Sequence, residues 1–319
     1  MTQPRAAVVQ SAPAAPAPPP PAVTPRIAPD VVAKVWRSVF ERPADAMGPA
    51  APPGSEARIA LGARLFGEKR LSADHRMSCA TCHDPGKGFI DERPRAQGSG
   101  GKQGAFNTPP IWNVGWAQRF GWAGRVGSLE QMIRAMIEDD SGMDGTVEAA
   151  ALWLSRDKDY VAAFARAFPG TSTPTPQSVV AALAAYMRTV VSPQTRFDRW
   201  VDGDERALSG PEREGFELFT GRAGCVSCHT GWRFSDDRPH PVAAAKGATQ
   251  TLKTPSLREL AWTAPYAHNG SVATLAPMLQ GHAPGATAPL SGDDRAKLLA
   301  FLRTLSSENR PRELGAAAR

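Results

Sequence analysis

The amino-acid sequence predicts an all-α fold in which one structural unit occurs twice. Three observations carry this prediction. Apolar residues recur at helical spacing along most of the chain, the pattern C-x-x-C-H occurs at residues 79–83 and 225–229, and no useful run alternates between apolar and polar residues. Each C-x-x-C-H follows a helical stretch and precedes a long loop. The length of 319 residues also suggests two domains of ordinary size.

The chain begins with a segment that we do not expect to contribute to a core. Residues 1 to about 26 are rich in Ala and Pro, a composition that favours extended conformations. Residues 27–40 show helical spacing, and a Pro/Gly-rich link follows at 43–54. We therefore interpret residues 1–56 as a tether with a short helix. The segment lacks the basic start, apolar stretch and cleavage site of a secretory signal.

The other helical stretches form two groups, one around each C-x-x-C-H. The first group is predicted at 57–66, 129–138, 147–168 and 176–190, with a loop-rich region at 84–128. Residues 195–204 are predicted to connect the groups. The second group is predicted at 211–220, where a proline stands near the start, and at 274–282 and 293–305.

Composition and charge exclude several classes of protein. The formal net charge is +6, but the basic residues are scattered and do not form a stripe with aromatic residues, so nucleic-acid binding is not expected. A basic surface of this kind is usually only solvated, although it can also dock an acidic protein. The sequence has no apolar run of the roughly 18–20 residues that span a bilayer, so we expect no membrane span.

The two C-x-x-C-H patterns use every cysteine of the chain. This pattern is typical of covalent attachment of a c-type haem: two thiols bind the vinyl groups of one porphyrin, and the adjacent histidine binds iron. Zinc sites commonly place two C-x-x-C pairs about 15–20 residues apart, a thioredoxin-type pair needs a βαβ unit, and disulfides would leave both histidines unexplained. We therefore predict two haems, attached through Cys79, Cys82, Cys225 and Cys228, with His83 and His229 as iron ligands. Such attachment indicates an exported, periplasmic protein.

From about residue 57 to 305 the chain resembles the bacterial di-haem cytochrome c peroxidases and their MauG relatives. The matching stretches are LS at 71–72, SCATCHD at 78–84, NTP at 107–109, WAGR at 122–125, SLE at 128–130, RFD at 196–198, GFELFTGRAGCVSCH at 215–229, KTPSLR at 253–258, APYAHNGS at 264–271 and TL at 274–275. The resemblance implies two cytochrome c-like domains, 57–200 with a peroxide-reactive haem 1 and 201–319 with haem 2, where electrons enter.

The resemblance also implies roles for residues between the haems. Trp122 matches the family tryptophan that lies between the two haems and shortens electron transfer. A core tryptophan at a domain interface is the structural alternative, and both can hold. Asn107, Thr263 and Pro265 match the family's calcium site, in which one side-chain amide and two backbone carbonyls are suitable hard oxygen ligands.

The resemblance further predicts how each iron is completed. His282 stands where the peroxidases have a methionine ligand of haem 2, with Met278 one helical turn earlier as the alternative. Imidazole in place of thioether should lower the reduction potential. His268 is expected to make a hydrogen bond rather than bind iron. Many peroxidases cap haem 1 with a histidine from the loop that here spans 97–104; that loop has none, so we expect an open haem 1.

One position departs from the family pattern. The family has an acidic residue in the haem 1 pocket that moves the protons of peroxide, and Gly142 aligns with it. Glu138 and Asp139 are the candidates to replace it, with Asp140 and Asp144 as further options. An acidic run of this kind is more often a solvated turn.

Three functions remain open at this point. The first is peroxide reduction at haem 1, with electrons from a small cytochrome c or a cupredoxin. The second is MauG-like oxidation of a protein or another large substrate. The third is electron transfer without turnover, which the missing acid favours and the open haem 1 argues against. A homodimer is an option that no residue decides.

Overall fold

The computed structural model describes residues 29–43, 55–171, 173–243, 249–282 and 286–310. Its α-helices and strands, in chain order, are α1 (Pro29–Phe40), α2 (Glu56–Phe66), α3 (Cys79–Cys82), α4 (Leu129–Glu138), α5 (Val147–Leu154), α6 (Lys158–Ala167), α7 (Pro176–Arg188), α8 (Arg196–Val201), α9 (Gly210–Thr220), β1 (Pro239–Ala243), β2 (Thr249–Lys253), α10 (Leu275–Gly281) and α11 (Gly292–Arg303). Short 3-10 helices lie between them. The chain is helix-rich with little strand, which confirms the predicted fold class in its coarse form.

Two helical predictions differ from the structure for reasons of capping. The stretch 147–168 is two helices, because the Asp157 side chain accepts from the backbone N–H groups of Asp159 and Tyr160 and starts α6 anew. The predicted connection 195–204 contains helix α8, since Thr195 caps it by accepting from the N–H of Asp198. A capping residue of this kind starts a new helix, although the helical spacing of apolar residues continues through it in the sequence.

A two-stranded antiparallel sheet is present in a region predicted as loop. Strands β1 and β2 pair with His240 opposite Leu252. The strand was not predicted because Pro239 and Pro241 argue against a strand, although an edge strand tolerates proline. Leu252 is buried, so the hairpin lies with that side against the protein body.

In the described part of the chain, buried apolar residues form two clusters, one centred in each half. The first contains buried residues from Leu61 to Val190. The second contains Phe197 and Trp200 of α8, further residues to Leu305, and also Phe40 at the end of α1. The boundary placed between residues 200 and 201 lies within α8, whose buried residues belong to the second cluster. Of the tether, only residues 29–43, 55 and 56 lie within the described part, and the interpretation of residues 1–28 lies outside it.

The two halves repeat the same helix crossing. Helix α2 packs on α7 in the first half, and α9 packs on α11 in the second. Gly62 lies against the carbonyl oxygen of Ala182, and Gly215 lies in the same way against that of Lys297, with no room for a Cβ atom at either glycine. Each crossing brings the helix before C-x-x-C-H onto the last helix of its half.

A second repeated feature follows the TP pairs at 108–109 and 254–255. Asn113 and Glu259 both have left-handed backbone angles, with φ of 59° and 61°. The Asn113 side-chain oxygen accepts from the N–H of Ser192 at 3.0 Å, and the Glu259 carboxylate accepts from the N–H of Ser307 at 3.2 Å. Each residue thereby ties its loop to the segment after the last helix of its half.

No helix in the described part of the chain is both long enough and apolar enough to cross a membrane.

Candidate functional site

The two C-x-x-C-H segments form similar turns. In the first half the cysteines lie on the single turn of α3, and the N–H of His83 donates to the carbonyl of Cys79 at 2.8 Å. In the second half a 3-10 turn starts at Cys225, and the N–H of His229 donates to the carbonyl of Cys225 at 2.9 Å. Each turn thus ties the backbone of the histidine to that of the first cysteine of its segment. Cys79, Cys82, Cys225 and Cys228 are not joined in disulfides.

Both histidines of these segments are oriented by a backbone carbonyl. The Nδ1 atom of His83 lies 3.2 Å from the carbonyl oxygen of Phe89, and that of His229 lies 3.0 Å from the carbonyl oxygen of Phe234. A carbonyl only accepts, so Nδ1 carries the proton and Nε2 presents its lone pair. This is the arrangement in which a histidine binds a metal through Nε2.

An unusual backbone conformation orients the carbonyl groups of Phe89 and Phe234 toward the two histidines. Phe89 and Phe234 have positive φ angles of 62° and 54°, which are rare for residues with a side chain. Both are almost fully buried, so packing holds them in that conformation. The sequence analysis missed both phenylalanines, because no residue type at these positions indicates a left-handed turn.

Burial keeps the attachment groups neutral. It lowers the pKa of His83, and it lowers the pKa of His229 to about 4. It also raises the pKa of Cys79 to about 12 and the pKa values of Cys82 and Cys225 to about 11. A histidine must be unprotonated to bind a metal, so the low pKa values favour ligation at neutral pH.

The imidazole of His282 lies near that of His229. His282 follows helix α10, and its ring centroid lies 6.2 Å from that of His229, with 68° between the ring planes. An iron–nitrogen bond of about 2.0 Å on each side, with about 1.1 Å from nitrogen to ring centre, gives a separation of about 6 Å. The spacing therefore fits one iron between the two imidazoles. Met278 lies on α10 itself.

Trp122 lies where the two halves meet. Its indole N–H donates to the carbonyl of Asn107 at 2.8 Å, and its ring centroid lies 6.4 Å from that of His268. The carbonyl of Trp122 accepts from the N–H of Lys253 at 2.8 Å, and the carbonyl of His268 accepts from the N–H of Asn107 at 2.8 Å. These reciprocal bonds make Trp122 part of a rigid junction.

The junction also contains a buried ion pair that the sequence analysis missed. Arg233 donates to the carboxylate of Asp237 at 2.8 and 2.9 Å and to the carbonyl of Trp116 at 2.8 Å. Asp237 accepts in addition from the N–H of Gln118 at 3.0 Å. The i,i+4 spacing of Arg233 and Asp237 weakly indicates an ion pair. The sequence gives no sign of their contacts with a segment more than 100 residues away.

The three residues assigned to calcium lie on segments that contact each other. The Asn107 amide nitrogen donates to the carbonyl of Arg93 at 2.7 Å, which leaves the side-chain oxygen as an acceptor. The hydrogen bond from Asn107 to His268 brings it against the segment that carries Thr263 and Pro265. Pro265 also lines an open cleft of about 430 Å³. The donor set suits calcium in kind, because all three contribute oxygen.

Gly142 lies in a tight turn against the loop 97–104. Its carbonyl accepts from the N–H of Ser99 at 2.7 Å. A Cβ atom at Gly142 would lie 2.8 Å from the carbonyl oxygen of Met136 and 3.2 Å from the Asp139 side chain. The turn in this form has no space for the acidic side chain of the family pattern, which gives a physical reason for the glycine.

The acidic residues near Gly142 are exposed and have other partners. Glu138 pairs with Arg134 at 2.7 Å. The Asp139 carboxylate accepts from the N–H and hydroxyl of Ser141, at 2.8 and 2.6 Å. Asp144 pairs with Lys102, and Asp140 is exposed. Of these residues, Asp139 makes the most contacts with the turn that holds Gly142.

Comparisons with known proteins decide the family. A family model described as di-haem cytochrome c peroxidase matches residues 56–206. The methylamine utilization protein MauG of Methylorubrum extorquens is 36% identical over 295 residues, which cover 84% of this chain and 84% of that protein. The chain belongs to the di-haem cytochrome c peroxidase and MauG family. The predicted resemblance is thereby confirmed.

Members of both branches of the family are similar to this chain. The cytochrome c551 peroxidase of Pseudomonas aeruginosa is 32% identical over 280 residues, covering 80% of each chain. The crystal structure of a MauG-like protein associated with microbial copper homeostasis matches with a TM-score of 0.71 at 27% identity, over 93% of this chain and 98% of that one. The family implies two c-type haems and an enzyme class.

Proposed function

We propose that this chain is a di-haem c-type oxidoreductase that reduces hydrogen peroxide at haem 1 with electrons that enter at haem 2. In this proposal each half is a cytochrome c-like domain. Haem 1 is bound by Cys79, Cys82 and His83, and haem 2 by Cys225, Cys228, His229 and His282. A small cytochrome c or a cupredoxin supplies the electrons.

One observation carries the proposal: the two histidine sites differ. His229 has a second imidazole nearby, that of His282, and the two residues would together hold one haem iron. No histidine ring is paired with His83 in the part of the chain that the structure describes. The other histidine side chains there have different neighbours: His75 lies against Trp153, His240 against Asp236, and His268 against Trp122. A haem iron held by His83 would therefore have no second histidine ligand among the described residues, which supports peroxide binding at this haem.

The chain's own residues orient and connect the two sites. When bound, haem supplies the one-electron redox chemistry and the iron that binds peroxide. Phe89 and Phe234 hold His83 and His229 in the tautomer that ligation requires. Trp122 is held between the halves by its bonds to Asn107 and Lys253, so its indole can shorten the path for electrons.

Peroxide reduction also consumes two protons for each two electrons, and we propose Asp139 as the group that carries them. Its carboxylate borders the turn at Gly142, which contacts the loop 97–104. Glu138 is the second candidate. Asp139→Asn keeps an oxygen for Ser141 but removes the acid, so the peroxide reaction should slow by roughly 10²–10⁴-fold, and Glu138→Gln by less. An unchanged rate in Asp139→Asn would exclude it.

The proposed function is tested by stopped-flow mixing of the haem-loaded protein with peroxide. A reduced small cytochrome c serves as the donor. We expect two donor molecules to be oxidised for each peroxide reduced to water. Slow peroxide reaction together with fast donor oxidation would instead indicate an electron carrier.

MauG-like oxidation of a protein is the second candidate. The relative from Methylorubrum extorquens, 36% identical, is named a MauG protein and supports this reading, as does the imidazole pair at haem 2. In this case peroxide reacts fast, the added cytochrome stays reduced, and the oxidising equivalents remain in the protein until a substrate is supplied. Oxidation of the cytochrome with two-to-one stoichiometry would contradict it.

We further propose that Asn107, Thr263 and Pro265 bind calcium and that the protein is periplasmic. The oxygen donor set supports the first proposal. Covalent c-type haem supports the second. Metal analysis of the purified protein and fractionation of the cells that make it test these two proposals separately.

A further inference from the structure

The repeated loop after each TP pair has one position at which the two halves differ sharply in chemistry. The loops share a left-handed residue, Asn113 or Glu259, followed at once by a 3-10 helix. The residue just before the left-handed one is Trp112 in the first half and Arg258 in the second. The same position thus has a neutral indole in one half and a guanidinium in the other.

This position packs against the phenylalanine whose carbonyl orients each attachment histidine. The Trp112 ring centroid is 4.8 Å from that of Phe89, and the Arg258 guanidinium carbon is 5.3 Å from the ring centroid of Phe234. These are the two phenylalanines whose carbonyls hold Nδ1 of the histidines. Trp112 and Arg258 therefore occupy equivalent places relative to the two iron ligands.

The Arg258 cation is held away from water. Its side chain is 0% exposed, its Nε atom donates to the carbonyl of Trp232 at 2.6 Å, and its Nη1 atom lies 2.8 Å from Oδ1 of Asp198. A second cation, Arg42, lies 3.9 Å from Asp198.

A buried charge of this kind acts strongly on a neighbouring redox centre. Reduction adds one negative charge to a haem, so a nearby cation stabilises the reduced form and a nearby anion the oxidised form. The effect is large where water is excluded and small at a screened surface. Trp112 provides no such charge in the first half.

We propose that Arg258, moderated by Asp198, is a positioning residue that raises the reduction potential of the haem at His229, whereas Trp112 leaves the haem at His83 without this effect. The proposal rests on the haem assignment made under the proposed function. The effect of Arg258 on the reduction potential of haem 2 is opposite to that of His282, because an imidazole ligand in place of methionine lowers the potential. The position before the left-handed residue would then help decide which haem accepts the electron first.

Three variants test the sign of the effect. Arg258→Met should lower the midpoint potential of haem 2, with a change of at least tenfold in the reduction equilibrium, or 59 mV for one electron. Asp198→Asn should raise it. Arg258→Met leaves the buried Asp198 carboxylate with only the more distant Arg42 as a cationic partner and can impair folding. Arg258→Met combined with Asp198→Asn removes both charges and should give a potential between that of Arg258→Met and the wild type.

The measurement is spectroelectrochemical titration of both haems in the full-length holoprotein, with ferric EPR spectra to check that the ligands are unchanged. Arg196→Gln is the matched control, because Arg196 lies on the same helix as Asp198 but is partly exposed in its pair with Glu212. It should leave both potentials unchanged. Shifts of the same sign in Arg258→Met and Asp198→Asn, or no shift in either, would overturn the proposal.

The reduction potentials are measured without peroxide, so this test does not depend on peroxide turnover. Failure of the proposed function appears as absent peroxide reaction with both haems in place, whereas failure of this inference appears only in the potentials. If the wild-type protein showed no low-spin haem signal, the assignment of His229 and His282 to haem 2 would be wrong, and both the proposed function and this inference would fail.

Discussion

Trp122 and His268 occupy equivalent positions in the two halves of the chain, and their ring centroids lie 6.4 Å apart. Each comes two residues after an aromatic residue that pairs in an isolated bridge, Phe120 with Val126 and Tyr266 with Val272. Each also accepts, through its carbonyl, a hydrogen bond from the opposite half. The junction is thus a repeated structure in which one half supplies an indole and the other an imidazole.

Replacement of Trp122 by phenylalanine tests the electron path. Trp122→Phe removes the indole and its hydrogen bond to Asn107, so transfer between the haems should slow and stability should fall by about 1 kcal/mol. The rate is measured after rapid reduction of haem 2. Phe106→Leu is the control, since the Phe106 ring lies 6.5 Å from that of Trp122. Equal rates in Trp122→Phe and the wild type would remove Trp122 from the path.

Removal of calcium should act through the same tryptophan. Asn107 supplies a proposed calcium ligand and also the carbonyl that accepts from the Trp122 indole. Chelation should therefore loosen Trp122 and slow transfer between the haems, and added calcium should restore the rate. Asn107→Ala should resemble the chelated protein and gain nothing from calcium. An unchanged transfer rate after metal analysis shows that calcium has been removed would contradict this link between calcium and Trp122.

Replacement of His282 by methionine should raise the potential of haem 2, because a thioether ligand favours the reduced iron relative to imidazole. Spectroelectrochemical titration measures the change. Met278→Leu is the matched control, one helical turn away on α10, and should leave the potential and the spectrum intact. Loss of the haem 2 spectrum in Met278→Leu, with none in His282→Met, would make Met278 the ligand.

Glu68 should make the stability of the first half dependent on pH. Donation from Arg70, helped by the Tyr160 hydroxyl at 2.8 Å, lowers the pKa of Glu68 to about 2. A carboxyl with a lowered pKa in the folded state stabilises it at pH values above the unfolded pKa, near 4.3, and this contribution is lost as the pH falls towards 2. The contribution at neutral pH is on the order of 2–3 kcal/mol.

Urea unfolding at several pH values tests this dependence. Glu68→Gln should be less stable than the wild type at pH 7, and the two proteins should approach the same stability near pH 2. Glu217→Gln, at an exposed position on α9, is the control and should follow the wild type. A constant difference between Glu68→Gln and the wild type over the whole range would exclude the proposed linkage.

The sequence predicted what contiguous residues encode. The C-x-x-C-H patterns and most helices could be identified because their signals lie within a few residues of each other, and α4 has the predicted bounds. The left-handed conformations of Phe89 and Phe234 could not, because tertiary packing imposes them. The ion pair of Arg233 and Asp237 at the junction could not either, because its partners come from the other half of the chain.

The central claim is that one polypeptide holds two covalent haems, of which only the one at His229 has two protein ligands. Low-temperature EPR spectroscopy of the ferric protein tests it most directly. The account predicts one high-spin and one low-spin haem in equal amounts, with the low-spin signal lost in His282→Ala. Two low-spin haems in the wild type would contradict it.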